Sequence, residues 1–247
     1  MLKVMAVKEK LPLLKLDEPV DVRKLKIFYQ ENDLGGHLIS PVDQDLQSVF
    51  RKVVNHFKSN LKNEVNRVQI NRVRNTTAIW MANMKSVKSP GFGVQIGAPG
   101  KPVNAWIEMV KSLFGRSNHT FVAIMTALTE KFGAAPGTLK HEYLQEERDK
   151  LIDDFRDILK DDCVFLFPTH PTVAPYHNEP MFRAFNFSYT ALVNVLGMPA
   201  CNIPLGLGSE GVPLGIQVVA NYNNDRLCLA VACELERAFG GWRAPEN

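Results

Sequence analysis

One pair of residues in the sequence has the spacing of a known nucleophile and its base. Ser59 and Lys62 fit the Ser-x-x-Lys arrangement of hydrolases in which a neutral lysine takes the proton of the serine. The pair lies at the polar end of an amphipathic helix, beside Asn60 and Asn63. We therefore interpret this pair as a solvated helix end. The sequence also lacks the G-x-S-x-G motif of a nucleophile elbow.

The segment Gly206–Gly211 fits the G-x-G-x-x-G pattern of dinucleotide-binding sites. In such a site the glycine loop opens a helix whose N-terminus meets the pyrophosphate. Here Val212 and Pro213 lead into the apolar run Leu214–Ala220, which is typical of a strand. The pattern therefore predicts a β-hairpin turn. A nucleotide-binding enzyme stays an alternative that depends on this motif alone.

Two histidines, His170 and His177, flank a proline-rich loop that follows the apolar run Cys163–Phe167. Active sites are often built on loops of this kind. Neither a third ligand nor a carboxylate motif accompanies the two histidines in the sequence. We therefore interpret them as loop residues, and we predict neither a metal site nor a cofactor.

Charge and cysteine usage narrow the class of protein. The 247 residues carry 29 Lys and Arg against 26 Asp and Glu, a net charge of +3, and the basic residues form no stripe. This distribution argues against a nucleic-acid partner.

The four cysteines form no Cys-x-x-Cys pair, which favours reduced thiols in an intracellular protein. Lysines interrupt the apolar stretches near the N-terminus, and prolines interrupt the charge-free run 184–209, so we expect neither a signal peptide nor a transmembrane span.

Apolar runs and helical spacing alternate along the chain. Strands are predicted at Leu25–Tyr29, Val65–Ile70, Cys163–Phe167, Cys201–Leu205 and Leu214–Ala220. Helices are predicted at 40–61, Thr77–Val87, Thr138–Lys160, Phe185–Leu196 and Asp225–Phe239, the first of them with Ser40 as its N-cap and Pro41 at its first position. This alternation predicts an α/β fold in which helices flank a mixed twisted sheet.

Two further apolar segments, Val103–Phe114 and Phe121–Phe132, are separated by a short polar turn. They place large apolar residues such as Trp106 near the basic residues Lys111 and Arg116. A helical hairpin of this composition could rest on a membrane surface. The alternative is that both helices pack onto the rest of the domain, and the sequence leaves both interpretations open.

The C-terminal part of the chain resembles a known family. The segments Phe185–Ala200, Asn202–Gly206 and Gly211–Val219 closely resemble the end of amidase-signature hydrolases. A second pair of segments, Phe165–Pro175 and Phe239–Trp242, resembles the subgroup of fatty-acid amide hydrolase 2-like proteins. The resemblance is strong from Asp162 to Trp242 and extends, with fewer landmarks, back to about Leu16.

The resemblance implies a particular catalytic apparatus. Members of the family are serine hydrolases with a Ser–cis-Ser–Lys triad, in which lysine is the base, the bridging serine relays the proton and backbone amides stabilise the oxyanion. The nucleophile lies in a block resembling Gly-Gly-Ser-Ser-Gly-Gly, which in the family precedes the segments matched here and is absent from this sequence. No residue of this chain is therefore predicted to be catalytic. Ser209 is excluded because it lies in the predicted hairpin turn.

What the resemblance places in this chain is a wall of the acyl-binding site. In fatty-acid amide hydrolases the helix matching Ser188–Thr190 lines the acyl channel. Phe187 and Ala191 lie four residues apart on one helical face, and Ala184 lies one turn earlier. We predict Ala184, Phe187 and Ala191 as substrate-binding residues, while a core-packing stripe would show the same pattern.

Together these observations predict that residues 1–247 form the C-terminal portion of a single amidase domain, with residues 103–132 as a candidate membrane-facing helical hairpin. The implied substrate is a long-chain acyl amide, and the implied partner is the N-terminal part of the same domain. We expect the isolated chain to be catalytically incomplete, because a positioned nucleophile and base supply the chemistry. The alternative is a non-catalytic lipid-binding remnant or a truncated gene product.

Overall fold

The computed structural model describes residues 4, 6–87, 90–97, 101–129 and 133–244. At its centre is a five-stranded sheet in the order β2-β1-β3-β5-β4. Its strands are β1 Lys26–Tyr29, β2 Val65–Arg67, β3 Cys163–Pro168, β4 Ala200–Leu207 and β5 Pro213–Ala220. β1 pairs in parallel with β2 and β3, whereas β5 is antiparallel to β3 and β4. The predicted mixed sheet is confirmed.

Helices separate most of these strands. The longer ones are α1 Gln44–Asn55, α2 Thr76–Ser86, α3 Ala105–Leu113, α4 Phe121–Thr129, α5 Leu139–Ile158, α6 Ser188–Leu196 and α7 Asp225–Phe239. Shorter helical turns lie at Lys8–Lys10, Leu11–Leu14, Val22–Lys24, His56–Asn60, Asn71–Asn75, Phe92–Gln95, Glu179–Met181 and Ala184–Phe187. Helix α6 is followed by Gly197, whose φ of 64° is the left-handed conformation that favours glycine after a helix C-terminus.

Strand β3 is buried along its whole length, as its uninterrupted apolar sequence predicts. Its aromatic rings extend the packing into the neighbouring helices. Phe165 meets Phe155 of α5 at a centroid distance of 5.1 Å, and Phe167 stacks on Tyr189 of α6 at 5.0 Å. Aromatic pairs of this geometry add to the free energy of apolar burial. This row of rings holds β3 and α6 together and so positions the residues that follow the strand.

The start of α1 corrects the sequence prediction. Ser40 and Pro41 do not cap the helix, which begins at Gln44 with Asp43 in the N-cap position. The Asp43 side chain makes no bond to the helix, because its carboxylate accepts a hydrogen bond of 2.9 Å from the backbone N–H of Val173. An N-cap aspartate commonly accepts a hydrogen bond from the first turn of its own helix. Here the carboxylate instead accepts one from a segment that is distant in sequence.

The chain divides into two compact units, one formed by Met1–Trp80 with Glu147–Asn247 and the other by Met81–Glu146. The first contains the sheet. In the second, α3 and α4 pack around a small apolar cluster of Ala105, Ile124, Ala127 and Leu128. A helical hairpin is therefore present within residues 105–129, and the last residues of the predicted segment, 130–132, lie outside the described residues.

The helical hairpin, α3 with α4 and the turn between them, leaves large apolar side chains exposed. They are Trp106, Ile107, Val110, Leu113, Phe114, Phe121, Val122 and Met125. Leu113 is 77% exposed and Trp106 is 62% exposed. Exposed apolar side chains that form one large patch mark interaction sites in other proteins, so the hairpin stays a candidate for such a site. Over the described parts of the chain, no helix combines the length and apolar character needed to cross a bilayer.

Candidate functional site

A cleft of about 440 Å³ opens in the first unit, beside the carboxyl ends of β1 and β3. Its walls come from residues 31–35 after β1, residues 39–42, helix α1, Pro168 of β3 and Tyr189 of α6. In open α/β sheets, ligands bind at this end of the parallel strands, where the connecting loops diverge. The cleft is therefore the candidate functional site of this unit.

A buried carboxylate defines the floor of the cleft. Asp33 is only 3% exposed, and its two oxygens accept hydrogen bonds from the backbone N–H groups of Gly35 at 3.3 Å and Gly36 at 2.9 Å. The Tyr189 hydroxyl donates to the same carboxylate at 3.3 Å and accepts from the Asp33 backbone N–H at 3.2 Å. These donors satisfy the charge in a place where an unpaired carboxylate would be costly.

Tyr189 is the group through which the loop after β1 is joined to helix α6. Its side chain is 1% exposed and stacks on Phe167. Burial, and then the negative charge of Asp33, raise the pKa of the Tyr189 hydroxyl well above its ordinary value. The hydroxyl keeps its proton in the folded protein and donates it in the hydrogen bond to Asp33.

A second connection joins the same two segments. The Asn186 amide, which is 2% exposed, accepts a hydrogen bond from the Ser40 backbone N–H at 2.9 Å and donates to the Ser40 hydroxyl at 3.1 Å. Ser40 lines the cleft, but among the described residues neither a lysine nor a histidine does. The Ser40 hydroxyl is bonded to the Asn186 amide, which holds the turn before α6 against this segment. The cleft offers apolar walls and hydrogen-bonding groups, which suit binding.

The loop after β3 is held from two sides. Asp43 donates its backbone N–H to the Pro171 carbonyl at 2.8 Å, in addition to accepting from Val173. On the opposite side, the Gln217 side chain of β5 donates to the Pro168 carbonyl at 2.9 Å and to the Tyr189 carbonyl at 3.0 Å. Gln217 is 4% exposed, so these bonds are made away from water. The end of β3 and the start of α6 are thus joined through a single amide.

The three predicted substrate-binding residues occupy different environments. Ala184 is exposed at the start of the turn Ala184–Phe187, Phe187 is half-buried, and Ala191 in α6 is 1% exposed. None of the three is among the residues that line the cleft. Their role in binding an acyl chain stays a prediction.

A residue that the sequence analysis missed lies against this group. The indole of Trp80 in α2 meets the ring of Phe187 edge to face, with centroids 4.9 Å apart. In the sequence, Trp80 is an aromatic residue within a predicted helix. Such a residue is as typical of the protein core as of a binding site. The contact joins segments far apart in the chain, which periodicity does not relate.

The structure also places the other candidate motifs. Ser59 and Lys62 are exposed, and Gly206–Gly211 connects the antiparallel strands β4 and β5 as the predicted hairpin. The Nδ1 atom of His170 lies 3.0 Å from the Thr172 carbonyl, within its own loop. Among the side chains that the structure describes, no group of three or more His, Cys, Asp and Glu residues could hold a metal ion.

The sequence of this fold matches known proteins over most of its length. A family model described as Amidase matches residues 21–229. The chain therefore belongs to the amidase family. Fatty-acid amide hydrolase 2 of Homo sapiens is 41% identical over 250 residues, which cover 99% of this chain and 47% of that protein. Fatty-acid amide hydrolase 2-B of Danio rerio is 39% identical over 236 residues, covering 94% of this chain and 44% of that protein.

Solved structures agree on the fold. A bacterial aryl acylamidase of the amidase-signature enzymes superposes with a TM-score of 0.57 at 17% identity, covering 88% of this chain and 44% of that protein. A solved fatty acid amide hydrolase superposes with a TM-score of 0.59, also at 17% identity, covering 90% of this chain and 42% of that protein. At this identity the likeness concerns the fold alone. The chain spans about half the length of the curated relatives it matches.

We predict that Tyr189→Phe lowers the free energy of unfolding by about 1–3 kcal/mol, because the buried Asp33 carboxylate loses a donor. The raised pKa of Tyr189 adds a pH dependence. The unfolded tyrosine loses its proton near its ordinary pKa of 10.0, whereas the folded one keeps it, so the stability of the natural chain falls as pH rises above that value. Tyr189→Phe lacks this component.

Urea unfolding of both proteins between about pH 8 and pH 11 measures the difference, which should shrink above about pH 10. Tyr176→Phe is the matched control, since Tyr176 is 79% exposed. A constant difference between the natural chain and Tyr189→Phe across this range would contradict the assigned raised pKa.

Proposed function

We propose that this chain supplies part of a serine hydrolase that cleaves amide bonds, with fatty-acid amides as substrates. The match of residues 21–229 to the amidase family carries the proposal. The substrate class is suggested by the human and zebrafish relatives, both of which are named as fatty-acid amide hydrolases. In this role the chain contributes part of a central sheet and one wall of an acyl-binding pocket within an amidase domain.

The catalytic serines and lysine of this enzyme are proposed to come from the N-terminal part of the same amidase domain. The Gly/Ser-rich block that the family resemblance implies does not occur in this sequence. Hydrolysis in this family depends on a serine and a lysine held in register, and no lysine is among the described residues that line the cleft. We therefore propose that the chain alone does not hydrolyse amides.

Helix α6 and the turn before it are proposed as the wall of the acyl site. Phe187 and Trp80 present adjoining aromatic surface that is partly accessible to an alkyl chain. Ala184 lies exposed at the entrance of the same turn, and Ala191 contributes a small side chain behind it. Apolar surface with few polar groups suits a long hydrocarbon chain, because burial of each methylene is favourable by about 0.8 kcal/mol.

The helical hairpin is proposed to contact a membrane surface. Its exposed side chains include Trp106 and Leu113, and the basic residue Arg116 lies in its turn. Apolar residues flanked by basic ones favour the boundary between headgroups and acyl chains. A hydrolase that acts on lipid amides would meet its substrate at the membrane surface, so contact of the exposed side chains with the membrane would serve its function.

The first test concerns catalysis. The purified chain should show no labelling by a serine-directed fluorophosphonate, and no turnover of a fatty-acyl amide, because it lacks the nucleophile and base. Co-expression with the part of the human relative that lies outside its matched residues should restore both signals. Ser209→Ala in the chain should leave the restored activity unchanged.

Labelling of the isolated chain would show that this assignment is wrong. Binding of fatty acids by the co-expressed pair, without labelling or turnover, would favour the alternative of a non-catalytic lipid-binding protein.

The second test concerns the acyl wall. In the co-expressed pair, Phe187→Ala should lower kcat/KM for a long-chain amide relative to a short-chain amide by roughly tenfold, because the outer part of the alkyl chain loses its contact. Asn194→Ala is the control, since Asn194 is an exposed polar residue of the same helix. Equal losses for both substrates would place Phe187 in the general packing of α6.

The third test concerns the membrane surface. Trp106→Glu should reduce binding of the chain to vesicles of phosphatidylcholine and phosphatidylserine by roughly tenfold, because an indole that would enter the interface is replaced by a charge. Tyr176→Glu adds the same charge to an exposed aromatic residue of the first unit and should bind like the natural chain. Equal sedimentation of all three proteins with vesicles would favour packing of the hairpin against protein.

A further inference from the structure

Three of the four cysteines belong to two elements that pack on each other, helix α7 and strand β4. Cys228 and Cys233 are residues of α7, and Cys201 is the second residue of β4. The fourth, Cys163, lies in β3 and is 3% exposed. All four are free thiols, so the contact between α7 and β4 gathers most of the thiol chemistry of this chain.

The register of the β4–β5 pair places the Cys201 side chain on the face of the sheet that α7 covers. Cys201 lies opposite Val218, and opposed residues of paired strands point to the same face. Gln217, the neighbouring residue of β5, points to the other face, where it bonds to a carbonyl of α6. The Sγ atom of Cys228 lies 3.6 Å from the Val218 carbonyl, which places α7 beside this part of the sheet. Cys201 therefore faces α7.

The three thiols differ in their access to solvent. Cys228 is 3% exposed, and its Sγ atom donates to the carbonyls of Pro199 at 3.5 Å and Val218 at 3.6 Å. Burial raises the pKa of Cys228 to about 12, so this thiol keeps its proton. Cys201 is half-buried and Cys233 is exposed. Cys233 is therefore the thiol that a dissolved oxidant meets first.

Cys201 and Cys233 interact with each other. Burial, and then the negative charge of Cys233, raise the pKa of the Cys201 thiol. The backbones of the two elements also approach closely, since Cα atoms of α7 come within 8 Å of Cα atoms of β4. A disulfide needs Cα atoms that are about 4.4–6.8 Å apart. The close packing and the interaction between the two thiols favour this pair for a disulfide.

We propose that Cys233 and Cys201 form a site of reversible oxidation, at which hydrogen peroxide produces a disulfide that joins α7 to β4. The Cys233 thiolate attacks one oxygen of the peroxide. The O–O bond breaks, which leaves a sulfenic acid on Cys233 and releases hydroxide. The sulfur of Cys201 then attacks the sulfenic sulfur, so that the S–S bond forms as the S–O bond breaks. The two sulfurs lose two electrons, and the two thiol protons leave in two molecules of water.

Thiol counting and peptide mapping test the site. The reduced 247-residue chain, treated with hydrogen peroxide, should lose two of its four thiols to maleimide labelling after denaturation. Proteolysis without reductant should yield the peptide of Cys201 linked to the peptide of Cys233. Dithiothreitol should restore both thiols, which distinguishes a disulfide from a sulfinic acid. The oxidised chain should also unfold at a higher urea concentration, because the disulfide restricts the unfolded state.

Serine variants separate the roles of the two thiols. Cys233→Ser should slow the loss of thiols by roughly tenfold, because the exposed nucleophile is missing. Cys201→Ser should leave a sulfenic acid on Cys233, which dimedone labels and which the natural chain does not accumulate. Cys163→Ser is the matched control, because Cys163 lies in β3. This variant should form the same disulfide as the natural chain.

Three results would overturn the proposal. The first is a peroxide-treated chain that keeps all four thiols. The second is a disulfide that joins Cys201 to Cys228, or one that links two copies of the chain and becomes more abundant with protein concentration. The third is equally fast loss of thiols in Cys233→Ser and in the natural chain.

Discussion

The burial of one carboxylate sets the geometry of the cleft. Asp33 is only 3% exposed, and among the described residues the donors to its carboxylate are the Gly35 and Gly36 amides and the Tyr189 hydroxyl, with no cation in an ion pair. Those donors must converge on it, because a buried charge without hydrogen bonds is strongly unfavourable. Gly35 turns with a φ of 75°, and a side chain at Gly36 would collide with the Asp33 carboxylate. The loop after β1 therefore has one shape, and α6 must stay beside it.

The contacts that satisfy Asp33 also join parts of the fold that are distant in sequence. Tyr189 reaches Asp33 with its hydroxyl while its ring stacks on Phe167, and its carbonyl receives the Gln217 amide. Tyr189, a residue of helix α6, thereby contacts the loop after β1, the end of β3 and strand β5. If α6 carries a wall of an acyl site, the wall is positioned by polar contacts on its inner side, which leaves its apolar residues available for other roles.

The sequence was sufficient for those elements that local patterns specify. The apolar run Cys163–Phe167 predicts a buried strand, and the glycines of the β4–β5 connection predict a hairpin; both are present. The start of α1 was predicted wrongly, because Asp43 binds the distant Val173 amide. Phe187 was predicted for the acyl wall from the family resemblance. Its contact with Trp80 joins two segments that are far apart in sequence, and the spacing of residues along the chain does not predict such a contact. Local chemistry thus predicts elements, whereas pairings between remote segments require the folded chain.

The parallel pairing of β1 with β3 has a consequence for synthesis of the protein. Lys26 lies opposite Cys163, so β1 cannot find its central neighbour until most of the chain has left the ribosome. At roughly 5–20 residues per second, this strand would wait on the order of ten seconds after its own translation. The β4–β5 hairpin, in contrast, closes within a short stretch. In a nascent chain one edge of β1 can pair with β2 soon after translation, whereas the edge that pairs with β3 stays open for this longer interval. That open edge is the part of the young sheet most exposed to pairing with a wrong strand.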